Sequence, residues 1–218
     1  MGQRWRTCRR RDKLCVTLAR AYLEDTSCKV FERLKMGFIK TIIERNETFA
    51  RDGFSASLKI IPSAKTIVVG CLDPRVDPLD VLGLEPGEAA TFRNIGGRIN
   101  PALVETMILL PTVAMAAGQM MGPSWNLVIL HHTDCGIIGC YRHAPDLLAK
   151  HLGVTRKQLE CMEVTDPYKA VAMDVAAWRA NQDIPGEFTI SGIVYDVNSG
   201  RIKVVIPPAM LRQTSDSA

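Results

Sequence analysis

Two short segments carry residues whose types and order could do chemistry. "VVGCLDPRVDP" ends an apolar run on Cys71 and follows it with Asp73 and Arg75. "LVILHHTDCGIIGC" ends another on His131 and His132, with Cys135 just beyond. A core strand has no need of an ion pair at its tip, so each segment reads as a site placed where a strand emerges. Cys and His are the usual zinc ligands, and His-x-x-Cys lets one tight turn supply two of them. Cys71, His132 and Cys135 make a set of three, which leaves a fourth position open and marks a catalytic zinc rather than a closed structural one. Asp73 and Arg75 are two apart, so in an extended segment they share a face. A two-pronged salt bridge from Arg75 keeps Asp73 ionised and fixed in orientation. Held this way, Asp73 can accept a hydrogen bond from a zinc-bound hydroxide and aim its lone pair at a substrate. Released, the same carboxylate can take the fourth zinc position itself.

Each of these residue types also has a plainer reading. Cys140 and Cys161 are read as small packing side chains, and His143 and His151 as hydrogen-bonded core or surface residues. His131 points to the opposite face of the strand from His132, so only one of them serves the site. A plain surface ion pair would explain neither the expected burial of Asp73 and Arg75 nor their place between a ligand and a helix cap. Two other function classes stay open on the residues alone. A structural-zinc interaction module needs a permanent fourth ligand, for which Asp73 is the candidate. A thiol enzyme with Cys135 as nucleophile and His132 as base leaves Cys71 unexplained.

The elements that must position these residues follow from pattern. "KTIVVGC" is a β-branched run, as expected of a strand buried on both faces. Asp77-Pro78 reads as N-cap and first residue of a short helix, with Gly83 past its end. Pro86-Gly87 fits the centre of a type II turn. "AATFRN" is a second strand leading into "IGGR". Asn100-Pro101 starts a helix that Pro111 should kink or break. "WNLVILHH" and "EFTISGIVYDV" are third and fourth strands, with a helix from Asp166-Pro167 to about Asn181 between them. "NSG" at 198–200 is a hairpin signal leading to "RIKVVI", an antiparallel edge strand. The expectation is an α/β fold: a mostly parallel sheet of about four strands plus an antiparallel edge strand, flanked by helices. In such sheets ligands sit at the carboxyl ends of strands, where strand order reverses. If the first and third strands are neighbours, Cys71, His132 and Cys135 converge there. Gly96, Gly97 and Gly136 are the expected substrate pocket, because glycine lets a small linear molecule approach the backbone closely.

Composition bounds the rest. The chain has 218 residues, 47% hydrophobic and 23% charged, within the range of a soluble globular protein. Its net charge of +4 is uneven. Residues 1–35 hold ten Lys/Arg against four Asp/Glu, and the remaining 183 hold 17 against 19. The body is therefore no basic nucleic-acid binder. Seven cysteines in no ladder-like spacing, without a signal peptide, suggest reduced thiols in an intracellular and most simply cytoplasmic protein. The Arg-rich start leaves a mitochondrial transit peptide open. The apolar stretch around Glu105 and Pro111 reads as a buried helix, not a membrane span. The chain divides into a basic leader (1–28), a single zinc-binding domain with an N-terminal amphipathic helix from about Val30 (29–207), and a polar tail (208–218).

These segments together resemble the β-class carbonic anhydrases. The family's Cys-x-Asp-x-Arg and His-x-x-Cys are matched by Cys71, Asp73, Arg75, His132 and Cys135, and "RNIGGR" resembles its Arg-Asn-x-Gly-Gly loop. "IIERNETFARDGF" is similar to the end of its N-terminal helix, and the likeness runs from about residue 41 to 206. The resemblance implies one zinc ion per subunit and hydration of carbon dioxide to bicarbonate. It also implies a homodimer, or a higher even oligomer, with N-terminal helices packed on the partner subunit and active sites near that interface. "CLDPRVDPLDVLGL" and "HHTDCG" resemble one subgroup in particular, which is also similar to carbonyl sulfide hydrolases. Carbonyl sulfide is thus the alternative substrate for the same zinc residues.

Overall fold

The computed structural model describes residues 26–184 and 188–211. The described residues fall into two units, divided between Ser57 and Leu58. The first contains helix α1, Thr26–Asp52, which begins four residues before the expected Val30. Phe38, Ile39, Ile42, Ile43 and Phe49 are 43 to 63% exposed along it. Most of the expected leader lies outside the described residues. Among the described residues no helix is long and apolar enough to cross a membrane.

The second unit is built on a five-stranded sheet in the order β2-β1-β3-β4-β5. Its strands are β1 (Thr66–Cys71), β2 (Ala89–Asn94), β3 (Asn126–His132), β4 (Thr189–Asp196) and β5 (Arg201–Met210). The first four run parallel, and β5 pairs antiparallel with β4. β1 and β3 are neighbours in register from Thr66↔Asn126 to Val69↔Ile129. Strand order reverses between them, which puts the switch point of the sheet at the ends carrying Cys71 and His132. Val68, Val69, Leu127, Ile129 and Leu130 are at most 1% exposed. Burial on both faces accounts for their uninterrupted apolar run.

The local signals for caps hold. Asp77 accepts from Leu79 N ahead of α2 (Pro78–Leu82), and Gly83 closes that helix in the left-handed conformation. Asn100 caps α3 (Pro101–Ala116) through Leu103 N. Three short helices follow β3: α4 (Ile137–His143), α5 (Pro145–Leu152) and α6 (Arg156–Glu160). Asp166 then caps α7 (Pro167–Ala180) through Tyr168 N and Lys169 N.

Two expectations need correction. α3 runs through Pro111 and is not broken there. It buries Leu103, Met107 and Ala114, and that packing outweighs the roughly 3 kcal/mol an interior proline costs. β5 continues past Ile206 to Met210, into what was expected to be the polar tail. Pro207 and Pro208 fall at a bulge between the pairs Ile190↔Ala209 and Gly192↔Ile206. On an edge strand, proline's missing N–H is tolerated at such a position. Residues 212–218 lie outside the described residues.

Candidate metal centre

Cys71 closes β1, and His132 closes β3 on the adjacent strand. The turn Thr133-Asp134 then brings Cys135 back over them. The sulfurs of Cys71 and Cys135 lie 3.7 Å apart. With a ring nitrogen of His132 they form a group whose ligand atoms are all within 4.8 Å of one another. Among the described residues this is the one cluster of three or more His, Cys, Asp or Glu able to hold a metal ion. No fourth such residue joins it.

The histidine is prepared as a ligand. His132 is 1% exposed, and its Nδ1 lies 2.8 Å from the Thr133 carbonyl. That contact places the proton on Nδ1 and leaves the lone pair on Nε2. Nε2 is buried and makes no hydrogen bond. An orphaned nitrogen beside two sulfurs is the donor set a zinc ion takes. Thr133 is fixed in turn: its hydroxyl donates to Asp196 Oδ1 at 3.1 Å and accepts from Val197 N at 3.1 Å. Asp196 is held below the usual carboxylate range by the Asn198 N–H and the Ser199 hydroxyl.

The thiols are not equivalent. The hydrogen bond with Cys135 is the main cause that lowers Cys71 to about 4, against the upward pull of burial. Cys135 is pushed up by the same hydrogen bond and by burial. Burial acts downward on His132, but the Cys71 sulfur beside it outweighs this and the net direction is upward.

Asp73 caps the 3-10 turn Pro74–Val76 by accepting from Arg75 N at 2.9 Å. The Arg75 guanidinium grips the same carboxylate through Nε at 3.0 and 3.2 Å and Nη2 at 2.7 Å. These bonds lower Asp73 to about 2 and raise Arg75. The expected burial holds for only one partner, since the side chains are 13% and 48% exposed. Arg75 sits above the strand ends, where solvent reaches it.

The sequence signalled other residues less clearly. Arg93 donates to the carbonyls of Cys71 at 2.8 Å and Asp73 at 2.7 Å and pairs with Asp77. It therefore fixes the backbone on both sides of Leu72. Asn94 closes the following loop onto Arg98 by two bonds, 2.7 and 3.0 Å. Inside that loop Gly97 has φ 65°, and a Cβ there would lie 3.0 to 3.1 Å from the backbone of Gly70, Cys71 and Leu130. Its glycine is required by the chain's own close approach. Gly96 (φ 78°) faces Ile137, while Gly136 has an ordinary helical φ and nothing near its Cβ position. Cys140 is half-buried, but Cys161 is exposed rather than a packing thiol. His143 is exposed, and His151 meets Asn100 at 3.3 Å.

His131 points away from His132, as strand alternation requires. Its Nε2 lies 3.1 Å from Asp174 Oδ2, which also accepts from Arg98 Nε at 2.8 Å. All three side chains are at most 3% exposed. Burial acts to raise Asp174, but His131 and Arg98 outweigh it and the carboxyl is held below its usual range. We expect Asp174→Ala to destabilise the fold by about 3–5 kcal/mol, because it leaves the buried Arg98 charge with no carboxylate opposite it. A depressed folded pKa gives stability that is complete above about pH 4 and lost as pH falls through the folded value. Denaturant midpoints of wild type and Asp174→Ala measured down the acid range check both points. Wild type should lose the larger part of its advantage below pH 4.

A carbonic anhydrase family model matches residues 66–202. β-Carbonic anhydrase 1 of Mycobacterium tuberculosis is 25% identical over 159 residues, covering 71% of this chain and 90% of that protein. A carbon disulfide hydrolase of Saccharolobus solfataricus is 30% identical over 174 residues, covering 67% and 80%. The crystal structure of a carbonic anhydrase from Streptococcus mutans superposes with a TM-score of 0.60 at 27% identity, covering 77% of this chain and 97% of that one.

Proposed function

Because the chain belongs to the β-carbonic anhydrase family, we propose that it is a zinc enzyme that hydrates carbon dioxide to bicarbonate. The site is Cys71, His132 and Cys135 as ligands, with Asp73 and Arg75 as the groups acting on the reactants. The observation that carries this reading is a three-residue ligand set, with Asp73, the candidate fourth ligand, held by Arg75. Zinc held there supplies the Lewis acidity that lets water react near neutral pH, where bulk water has a pKa of about 15.7. The protein's own residues do the rest. Asp73 stays ionised down to about pH 2, so it accepts a hydrogen bond from the attacking water and turns its lone pair toward the carbon. Arg75 fixes the direction of that carboxylate. Thr133 keeps the His132 proton on Nδ1, away from the reacting atoms. Gly96 and Gly136 are the proposed approach for a small linear substrate, while Gly97 serves the chain's own close packing.

A second reading keeps the site and changes the substrate. Carbonyl sulfide, attacked at the same carbon, gives thiocarbonate, which falls to carbon dioxide and hydrogen sulfide. The similarity to a carbon disulfide hydrolase supports keeping it. Kinetics with both gases on one zinc-loaded sample, before and after chelation, decide between them. We expect carbon dioxide kcat/KM to exceed that for carbonyl sulfide by roughly tenfold or more, within the usual enzymatic range of about 10⁴–10⁸ M⁻¹s⁻¹. The reverse ratio makes the chain a carbonyl sulfide hydrolase. Zinc at one per subunit with neither reaction makes it a structural-zinc module. The reading includes a homodimer in which α1 packs on the partner subunit, because its apolar side chains are exposed on the single chain.

A further inference from the structure

Arg75 is divided between two carboxylates. Nε and Nη2 take Asp73, while Nη1 donates to Asp134 Oδ2 at 2.9 Å and Nη2 also donates to the Asp134 carbonyl at 3.0 Å. Asp134 thus holds the other edge of the guanidinium with both side chain and backbone. It does so from the position next to Cys135, in the second ligand segment. Its backbone is left-handed, with φ 53°. Glycine adopts that conformation freely, and Asp and Asn are the side chains that tolerate it best. A glycine would relax the turn but would have no carboxylate to offer Arg75.

We infer that Asp134 is a positioning residue that keeps Arg75 on Asp73, and so keeps the Asp73 carboxylate out of the metal's fourth position. This rests on the zinc site proposed above. The Arg75 side chain is 48% exposed, and one exposed ion pair is a weak restraint on a long, rotatable side chain. The two carboxylates take different edges of the guanidinium, so they do not compete for donors. Together they tie Arg75 to both ligand segments at once. Without Asp134 the Arg75 guanidinium still reaches Asp73 through Nε and Nη2, so loss of Asp134 raises the closed fraction without making it complete.

The test uses the full-length protein loaded with cobalt(II) and titrated with azide, followed by its visible spectrum. Azide needs the fourth position, so its apparent affinity scales with the open fraction. Asp134→Asn keeps the left-handed preference and the carbonyl while removing the charge. It should weaken azide about three- to tenfold and lower kcat by a similar factor. Loss of a negative charge would by itself favour an anion, so weakening cannot be a direct electrostatic effect. In an Asp73→Ala background no carboxylate remains to close the site, and Asp134→Asn should then leave azide no weaker. Equal weakening in both backgrounds, or azide binding as tight as wild type in the single variant, overturns the role of Asp134. Cobalt uptake per chain is measured first. A chain that takes up no metal overturns the zinc reading and this inference together, whereas uptake with unchanged azide binding overturns only the inference.

Discussion

Alanine at Cys71, His132 or Cys135 removes the metal and, with it, roughly a thousandfold or more of the activity, because water without a Lewis acid hardly ionises at neutral pH. Each variant leaves two donors where three ligand atoms lie within 4.8 Å, and two donors do not hold zinc in a tetrahedral site. The fold should survive, since the ends of β1 and β3 are held by backbone pairing from Thr66↔Asn126 to Val69↔Ile129 and by Arg93 on the Cys71 carbonyl. Cys140→Ala and Cys161→Ala serve as controls and should keep full zinc. Those thiols stand outside the ligand group, one half-buried and one exposed. Zinc per chain by elemental analysis, alongside carbon dioxide hydration, reads both properties. A ligand variant that keeps metal and rate removes that residue from the site.

Arg75→Ala should leave zinc near wild-type occupancy yet cost about a hundredfold or more in activity, in line with the penalty for misplacing a reacting group. The substitution removes every side-chain bond that Arg75 makes to Asp73 and Asp134. One restraint on Asp73 remains, the backbone N–H of residue 75, worth about 1 kcal/mol. A carboxylate so lightly held beside a divalent cation turns and becomes the fourth ligand, taking the position that water needs. Asp73→Ala differs in kind: the position stays open and a residual rate persists. X-ray absorption or a crystal structure of the Arg75 variant distinguishes the two. Zinc without a carboxylate ligand, and Asp73 still capping the 3-10 turn, would show that the ion pair is only structural.

What the sequence determined by itself was local chemistry. Asp77, Asn100 and Asp166 before prolines marked helix starts, because an Asx side chain beside a ring-fixed φ satisfies free N–H groups within a few residues. Apolar runs marked the parallel strands, and residue type with spacing marked Cys71, Asp73, Arg75, His132 and Cys135. These signals are short-range, so they are legible without knowing what packs where. Pro111 misled for the same reason: its local cost is real, but the buried face of α3 outweighs it. Only the tertiary structure decided that β1 lies beside β3, on which the whole ligand group depends. It also decided that Arg75 has a second anchor in Asp134, that Arg93 clamps the Cys71 and Asp73 carbonyls, and that His131, Arg98 and Asp174 form a buried ionic cluster. In the sequence each of those charges looks like an ordinary solvated side chain. Their partners stand many residues away, and a hydrogen bond across that separation exists only once strand order and register have brought the two groups within about 3 Å.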